Sequence, residues 1–198
     1  MTMPAIILAG GQATRMGGGD KALLPLGDGT ILDQVIARLT PQVSQIALNA
    51  NGDPNRFADY TLPVIPDSID GFAGPLAGVL AGLDWAADHG ADSIISVAAD
   101  TPFFPMGLVE KLITTTNGMS HPLALAATQS GRHPTFGIWP VALRDDLRAA
   151  LNEGLRKVVL WTDKHHGREA LFDHDDAFFN VNTPEDLAKA AQMQGIQT

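Results

Sequence analysis

Short apolar runs alternate along this chain with segments that read as helices, and that alternation restricts the fold more than any other feature. The runs occupy residues 5–8, 45–48, 63–65, 93–98, 123–127 and 135–139. The helical segments occupy residues 30–39, 76–87, 107–115, 141–152 and 184–194. In the second of these, Leu76, Val79, Leu80 and Leu83 keep the i, i+3, i+4, i+7 spacing of a buried helix face. Strands that alternate with helices build βαβ units and a mostly parallel sheet covered on both faces. The expectation is therefore an α/β, Rossmann-like, three-layer arrangement. The closer spacing of the later strands leaves room for antiparallel pairing there. A chain of 198 residues can bury a sizeable core as one domain spanning 1–198. In open α/β sheets, ligands bind beyond the carboxyl ends of the strands. The residues that follow each strand are therefore the candidates for function.

The first strand runs straight into a glycine-rich loop. Residues 8–21 read LAGGQATRMGGGDK. Glycine permits close backbone approach and unusual φ angles, and consecutive N–H groups can form an anion-binding nest. Arg15 and Lys21 supply cations beside it, so the loop has what a triphosphate needs. No G-x-x-x-x-G-K-[ST] string is present, so this is not a Walker A loop. Residues 17–22 fit G-x-G-x-x-A, but the strand ends at Leu8 or Ala9 and no acid lies between Asp33 and Asp53. That match is read as accidental.

Composition removes several classes of function. The chain has no cysteine, which excludes disulfides, Cys-based zinc sites and thiol catalysis. A formal net charge of −9 argues against a nucleic-acid partner. It also requires that positive charge be focused locally if an anionic nucleotide binds, by Arg15, Lys21, helix N-termini and a divalent metal. No apolar stretch is long enough to span a bilayer, and no signal-peptide pattern is visible, so a cytoplasmic protein without a membrane partner is expected. A monomer is expected as well.

The run LAGGxxxRMGxxDK resembles the nucleotide-binding segment of nucleotidyltransferases that transfer an NMP from an NTP to a phosphate. The doubled glycine resembles the molybdenum cofactor guanylyltransferases within that group. The resemblance extends through GPLAG, DTPF and NVNTPED, from Leu8 to Leu187. It implies a nucleotidyltransferase-type fold with a nucleotide-binding N-terminal half and an acceptor-binding C-terminal half. It also implies transfer of GMP from GTP to the terminal phosphate of molybdopterin, releasing pyrophosphate. Leu8, Ala9, Gly10 and Gly11 then contact the nucleotide, and Lys21 holds its phosphates. Arg15 is added as a second phosphate cation, because a fixed fork of donors suits a phosphate.

The other strand exits are read in the same way. Asn49 leaves the second strand, and Asn51-Gly52 after it is a strong turn pair, so spacing alone favours a turn. The family carries NANR here, which makes Asn49 a nucleotide contact. Gly52, Asp53, Pro54 and Asn55 intervene before Arg56, leaving the place of the family arginine open. Asp67 follows the third strand, and the resemblance makes it a nucleotide contact. Gly74, Pro75 and Gly78 sit in the GPLAG helix start. Tight helix packing explains them as well as a ligand does; the family places them near the acceptor. Asp100 follows the fourth strand, where an acid can hold Mg²⁺ or cap a turn. The resemblance makes it the Mg²⁺ ligand, with Mg²⁺ as cofactor.

The C-terminal motifs are softer. The resemblance puts Arg132, His133, Asn180 and Asn182 near the acceptor. Arg156 could meet an anionic acceptor or simply face solvent. Thr183, Pro184 and Asp186 are explained as a helix start. His165, His166 and His174, among Asp163, Glu169, Asp173, Asp175 and Asp176, lack metal-ligand spacing and are expected in a solvated loop. Besides GTP and molybdopterin, delivery proteins for the molybdenum cofactor are expected partners. The residues leave open CTP with molybdopterin, or an NTP with a sugar or alcohol phosphate. They also leave open a GTP- and molybdopterin-binding protein without transferase activity.

Overall fold

A computed structural model describes residues 3–10, 20–69, 71 and 74–197. Its spine is a seven-stranded sheet. In chain order the strands of the described residues are β1 (Ala5–Leu8), β2 (Pro25–Leu26), β3 (Gly29–Thr30), β4 (Ile46–Asn49), β5 (Val64–Ile65), β6 (Ser93–Ala98), β7 (Ala124–Thr128), β8 (Gly131–Pro140) and β9 (Arg168–Leu171). The main sheet runs β5-β4-β1-β6-β8-β7-β9, and β2 and β3 form a separate hairpin. Within the main sheet only β8 is antiparallel to its neighbours.

The helices are α1 (Ile31–Leu39), α2 (Pro75–Asp88), α3 (Leu108–Thr115), α4 (Arg144–Asn152), α5 (Val158–Lys164) and α6 (Pro184–Gln197). One apolar cluster joins β1, β4 and β6 to α1 and α3. A second joins the same sheet to α2, α4 and α5. These are the two covered faces that the alternation of elements requires. Among the described residues no helix is long and apolar enough to cross a membrane.

Two local devices position helices against the sheet. Thr30 and Asp33 form a reciprocal capping box that starts α1. On α2, a Cβ at Gly82 would lie 2.9 Å from Ile6 Cγ2 and 3.1 Å from Ile94 Cδ1, and one at Gly78 would lie 2.8 Å from Leu8 Cδ2. The helix lies directly on β1 because both positions lack a side chain. Gly82 sits over mid-strand and Gly78 over the strand's end, so α2 runs back along the sheet with its N-terminus at the carboxyl edge.

The C-terminal half departs from expectation. β8 begins at Gly131, so Arg132 and His133 lie inside a strand rather than before it. Val141–Leu143 is a 3₁₀ turn preceding α4. The stretch expected to be a solvated loop contains the end of α5 and the edge strand β9, which pairs in parallel with β7. Ala170 is the only buried residue of β9, so no alternating apolar pattern marks it. α5 buries Val158, Trp161 and Thr162 in just seven residues, too short for a periodic signal.

Candidate active site

Parallel register brings the strand ends into line. Leu8 pairs with Asn49 on one side and Ala98 on the other, and Asn49 pairs with Ile65. The residues that follow these four positions therefore share one edge. Leu8, Ala9 and Gly10 leave β1 there, with Gly10 exposed. Gly11 and Arg15 lie outside the described residues.

At the centre of the edge is a cation between two oxygens. Lys21 Nζ donates to Asp100 Oδ2 at 2.9 Å and to Asn182 Oδ1 at 2.6 Å. The Lys21 and Asp100 side chains are 17% and 27% exposed. Two ties hold the C-terminal loop against the end of β6. Val181 N–H donates to Asp100 O at 2.9 Å, and the buried Thr101 hydroxyl donates to Asn180 Oδ1 at 2.5 Å. The helix start at Thr183 orders the loop internally. Asp186 accepts from the N–H groups of Asn182 (2.9 Å) and Thr183 (3.0 Å), and Asp186 N–H donates to Thr183 Oγ1. The Asn182 N–H, helped by Thr183, holds the Asp186 carboxyl below its ordinary range. This capping box thus also fixes the backbone that aims Asn182 at Lys21.

A second network lies on the β4–β5 side. Buried Asn49 donates through Nδ2 to Ile65 O (3.1 Å) and Asp67 Oδ1 (3.0 Å). Asn51 and Asp67 exchange two hydrogen bonds, each 2.8 Å. Arg56 then links this network to the residue before Lys21. Its Nη2 donates to Asn51 O at 2.6 Å, and its Nε lies 3.0 Å from Asp20 Oδ2. In sequence, Asn51-Gly52 reads as a turn pair and Arg56 has no assigned place; in the fold both have partners. No local spacing could show that Asn51 braces Asp67 and Arg56 engages Asp20.

Several expected acceptor residues have local partners. A Cβ at Gly78 would lie 2.2 Å from Asn49 Oδ1, so this glycine is buried packing between α2 and Asn49. Gly74, exposed at φ +150°, and Pro75 form the start of α2 at the carboxyl edge, where free N–H groups collect. Arg132 is clamped by Asp163 (2.6 Å) and Glu169 (2.5 Å). Arg156 donates to Leu151 O and Leu155 O behind α4. His165, from the supposed loop, lies 2.7 Å from Asp146.

His133 stacks on Phe178, with ring centroids 4.1 Å apart and planes 9° from parallel, and its Nε2 lies 2.9 Å from Thr128 Oγ1. Phe178 leads into Asn180, so His133 supports the C-terminal loop from beneath. Burial pushes the His133 pKa below its ordinary 6.5, with Asp175 opposing. A native state that holds this imidazole neutral is favoured above pH 6.5, and that stability is lost as pH falls through the lowered native pKa. Thermal stability should therefore drop on going from pH 6.5 towards about pH 5, and His133→Phe, which keeps the stack, should flatten the drop. Melting temperatures across that range test this; an equal slope in the variant refutes it.

Asp100 can be tested as a ligand for Mg²⁺ from the donors present. Among the described residues no group of three or more His, Asp or Glu side chains could hold a metal. Mg²⁺ usually takes one or two carboxylates and completes its shell with phosphates and water. The Asp100 carboxylate, a hard oxygen donor at the carboxyl edge of the sheet, fits that donor set.

Comparison with known proteins agrees with this fold. The MobA-like NTP transferase domain matches residues 5–168. A molybdenum cofactor guanylyltransferase from Rhodopseudomonas palustris strain HaA2 is 53% identical over 192 residues, covering 94% of this chain and 90% of the relative. One from Mesorhizobium japonicum is 47% identical over 195 residues, covering 95% and 94%. Among solved structures, molybdopterin-guanine dinucleotide biosynthesis protein A from Archaeoglobus fulgidus shares the fold. It has a TM-score of 0.77 at 21% identity, over 98% of this chain and 100% of the other. This chain belongs to the MobA-like NTP transferase family, among relatives named molybdenum cofactor guanylyltransferase, and is a nucleotidyltransferase.

Proposed function

We propose that this protein transfers GMP from GTP to the terminal phosphate of molybdopterin, forming molybdopterin guanine dinucleotide and pyrophosphate. The observation that carries the reading is the meeting of Lys21, Asp100 and Asn182 beside the exit of β1. The names of the relatives supply the base and the acceptor.

The acceptor phosphate attacks the α-phosphorus of GTP in line, and pyrophosphate leaves. A phosphate monoester is already a competent nucleophile, so positioning and charge neutralisation carry the reaction. Gly10 and Gly11 orient the nucleotide through backbone N–H groups. Lys21, joined by Arg15, neutralises the leaving pyrophosphate. Asp100 would hold Mg²⁺, which when bound would supply positive charge to offset that of the phosphates. Asn49, Asn51 and Arg56 keep Asp67 and the base of Lys21 in register. The start of α2 and the loop at Asn180 and Asn182 border the acceptor side.

Anaerobic pyrophosphate release with Mg²⁺ and molybdopterin, compared for GTP and CTP, tests the reading. Release with GTP alone supports it. Release with CTP alone keeps the chemistry and moves the base choice. GTP binding without release with either nucleotide would make the protein a binder. Lys21→Ala should weaken GTP binding about tenfold or more, the size expected for one hydrogen bond to a charged group. Unchanged affinity in a fluorescent-nucleotide titration would refute the phosphate role.

A further inference from the structure

The ammonium of Lys21 occupies Oδ2, one of the two oxygens through which Asp100 would hold a cation. It lies 2.9 Å from Asp100 Oδ2 and 2.6 Å from Asn182 Oδ1, and both are hard oxygen donors. Asp20, the acid next to Lys21 in the chain, is engaged by Arg56 at 3.0 Å, which leaves the ammonium directed at Asp100. The two ends of this ion pair have different tasks in the proposed reaction. Asp100 is to hold a divalent ion, and Lys21 is to hold phosphate. The pair opposes the first task, because a divalent ion on Oδ2 would be repelled by the ammonium that already donates to that oxygen.

We infer that Lys21 is the internal counter-ion of Asp100 before nucleotide binds, and that the triphosphate, by drawing off the ammonium, opens the cation site. This rests on the reading of Asp100 as the metal ligand. The backbone of Lys21 is held in a short 3₁₀ turn, Lys21–Leu23, while four rotatable carbons carry its charge. The side chain can therefore change partner with its Cα in place. Nucleotide and cation are then coupled through one residue, and the coupling is reciprocal: each raises the affinity of the other.

The pair is partly exposed, so its strength is modest. If Asp100 is free about one tenth of the time, apparent cation affinity is weakened about tenfold. Mn²⁺ serves as the probe, with free Mn²⁺ counted by electron paramagnetic resonance. Without nucleotide, Lys21→Met in the full chain should bind Mn²⁺ about tenfold more tightly than wild type. Lys21→Gln, as a second neutral variant, should do the same, and adding Asp100→Asn should abolish the gain. A non-hydrolysable GTP analogue should tighten wild-type binding towards that of Lys21→Met. No gain in either neutral variant overturns the inference, as does a gain that survives Asp100→Asn. If analogue-dependent Mn²⁺ binding still requires Asp100 in that case, the metal reading stands and only the counter-ion role fails. If Asp100→Asn leaves Mn²⁺ binding unchanged with the analogue present, both fail.

Discussion

Asp100→Ala is expected to lower turnover by about 10²-fold or more while the protein stays folded, a loss typical of removing one preorganised charge-stabilising contact. The carboxylate touches Lys21 through Oδ2 and Thr101 through Oδ1. The backbone tie from Val181 N–H goes to the carbonyl of Asp100, which the substitution retains. The loop that presents Asn180 and Asn182 should therefore remain docked. Asp100→Asn keeps the shape and removes the charge, so it should lose nearly as much turnover as alanine. GTP binding should fall less than turnover in both, because Lys21 still reaches phosphate. Steady-state pyrophosphate release and nucleotide titration separate the two effects. Near wild-type turnover in Asp100→Ala would sink the metal assignment.

Trp139→Ala is expected to cost about 3–5 kcal/mol of stability, the usual range for truncating a buried Trp. Trp139 is fully buried in β8 and faces Trp161 of α5 at 6.1 Å between ring centroids. Its Nε1 donates to Ser96 Oγ at 2.7 Å, and that hydroxyl donates in turn to Thr135 O at 2.9 Å. Removing the indole opens a cavity between α5 and the sheet and takes a partner from a buried hydroxyl on β6. Trp139→Phe keeps most of the ring and loses the hydrogen bond, so its cost should be smaller, about 1–3 kcal/mol. For a chain of this size the alanine variant should melt about 10 °C lower. Chemical and thermal denaturation of the two variants measure this. A loss below about 1 kcal/mol in the alanine variant would contradict the packing described.

The strand-exit part of the candidate site is legible in sequence because its members sit at strand ends. An apolar run followed by a polar residue marks such an end in the chain itself, and parallel pairing then brings the ends together. Asn49 ends β4, and Asp67, Asp100 and Gly10 follow strands in this way. The hairpin of β2 and β3 escaped because each strand has two residues. Edge strand β9 escaped because only Ala170 is buried. Gly78 illustrates a residue with two readings, ligand contact or packing. The 2.2 Å approach of its would-be Cβ to Asn49 shows it packed against the helix's neighbour.

By itself the sequence determined the kinds of element and the chemical groups available at their ends, because periodicity, turn residues and side-chain identity are local. The tertiary structure alone decided which groups meet. Lys21 and Asn182 are 161 residues apart, and Lys21 and Asp100 are 79 apart, yet one ammonium bridges both. No spacing rule spans such separations. The meeting depends on β6 lying beside β1, on Val181 docking at the end of β6, and on a capping box that turns Asn182 inward. Each is a long-range contact held by packing and backbone hydrogen bonds, and such contacts exist only once the whole sheet has formed.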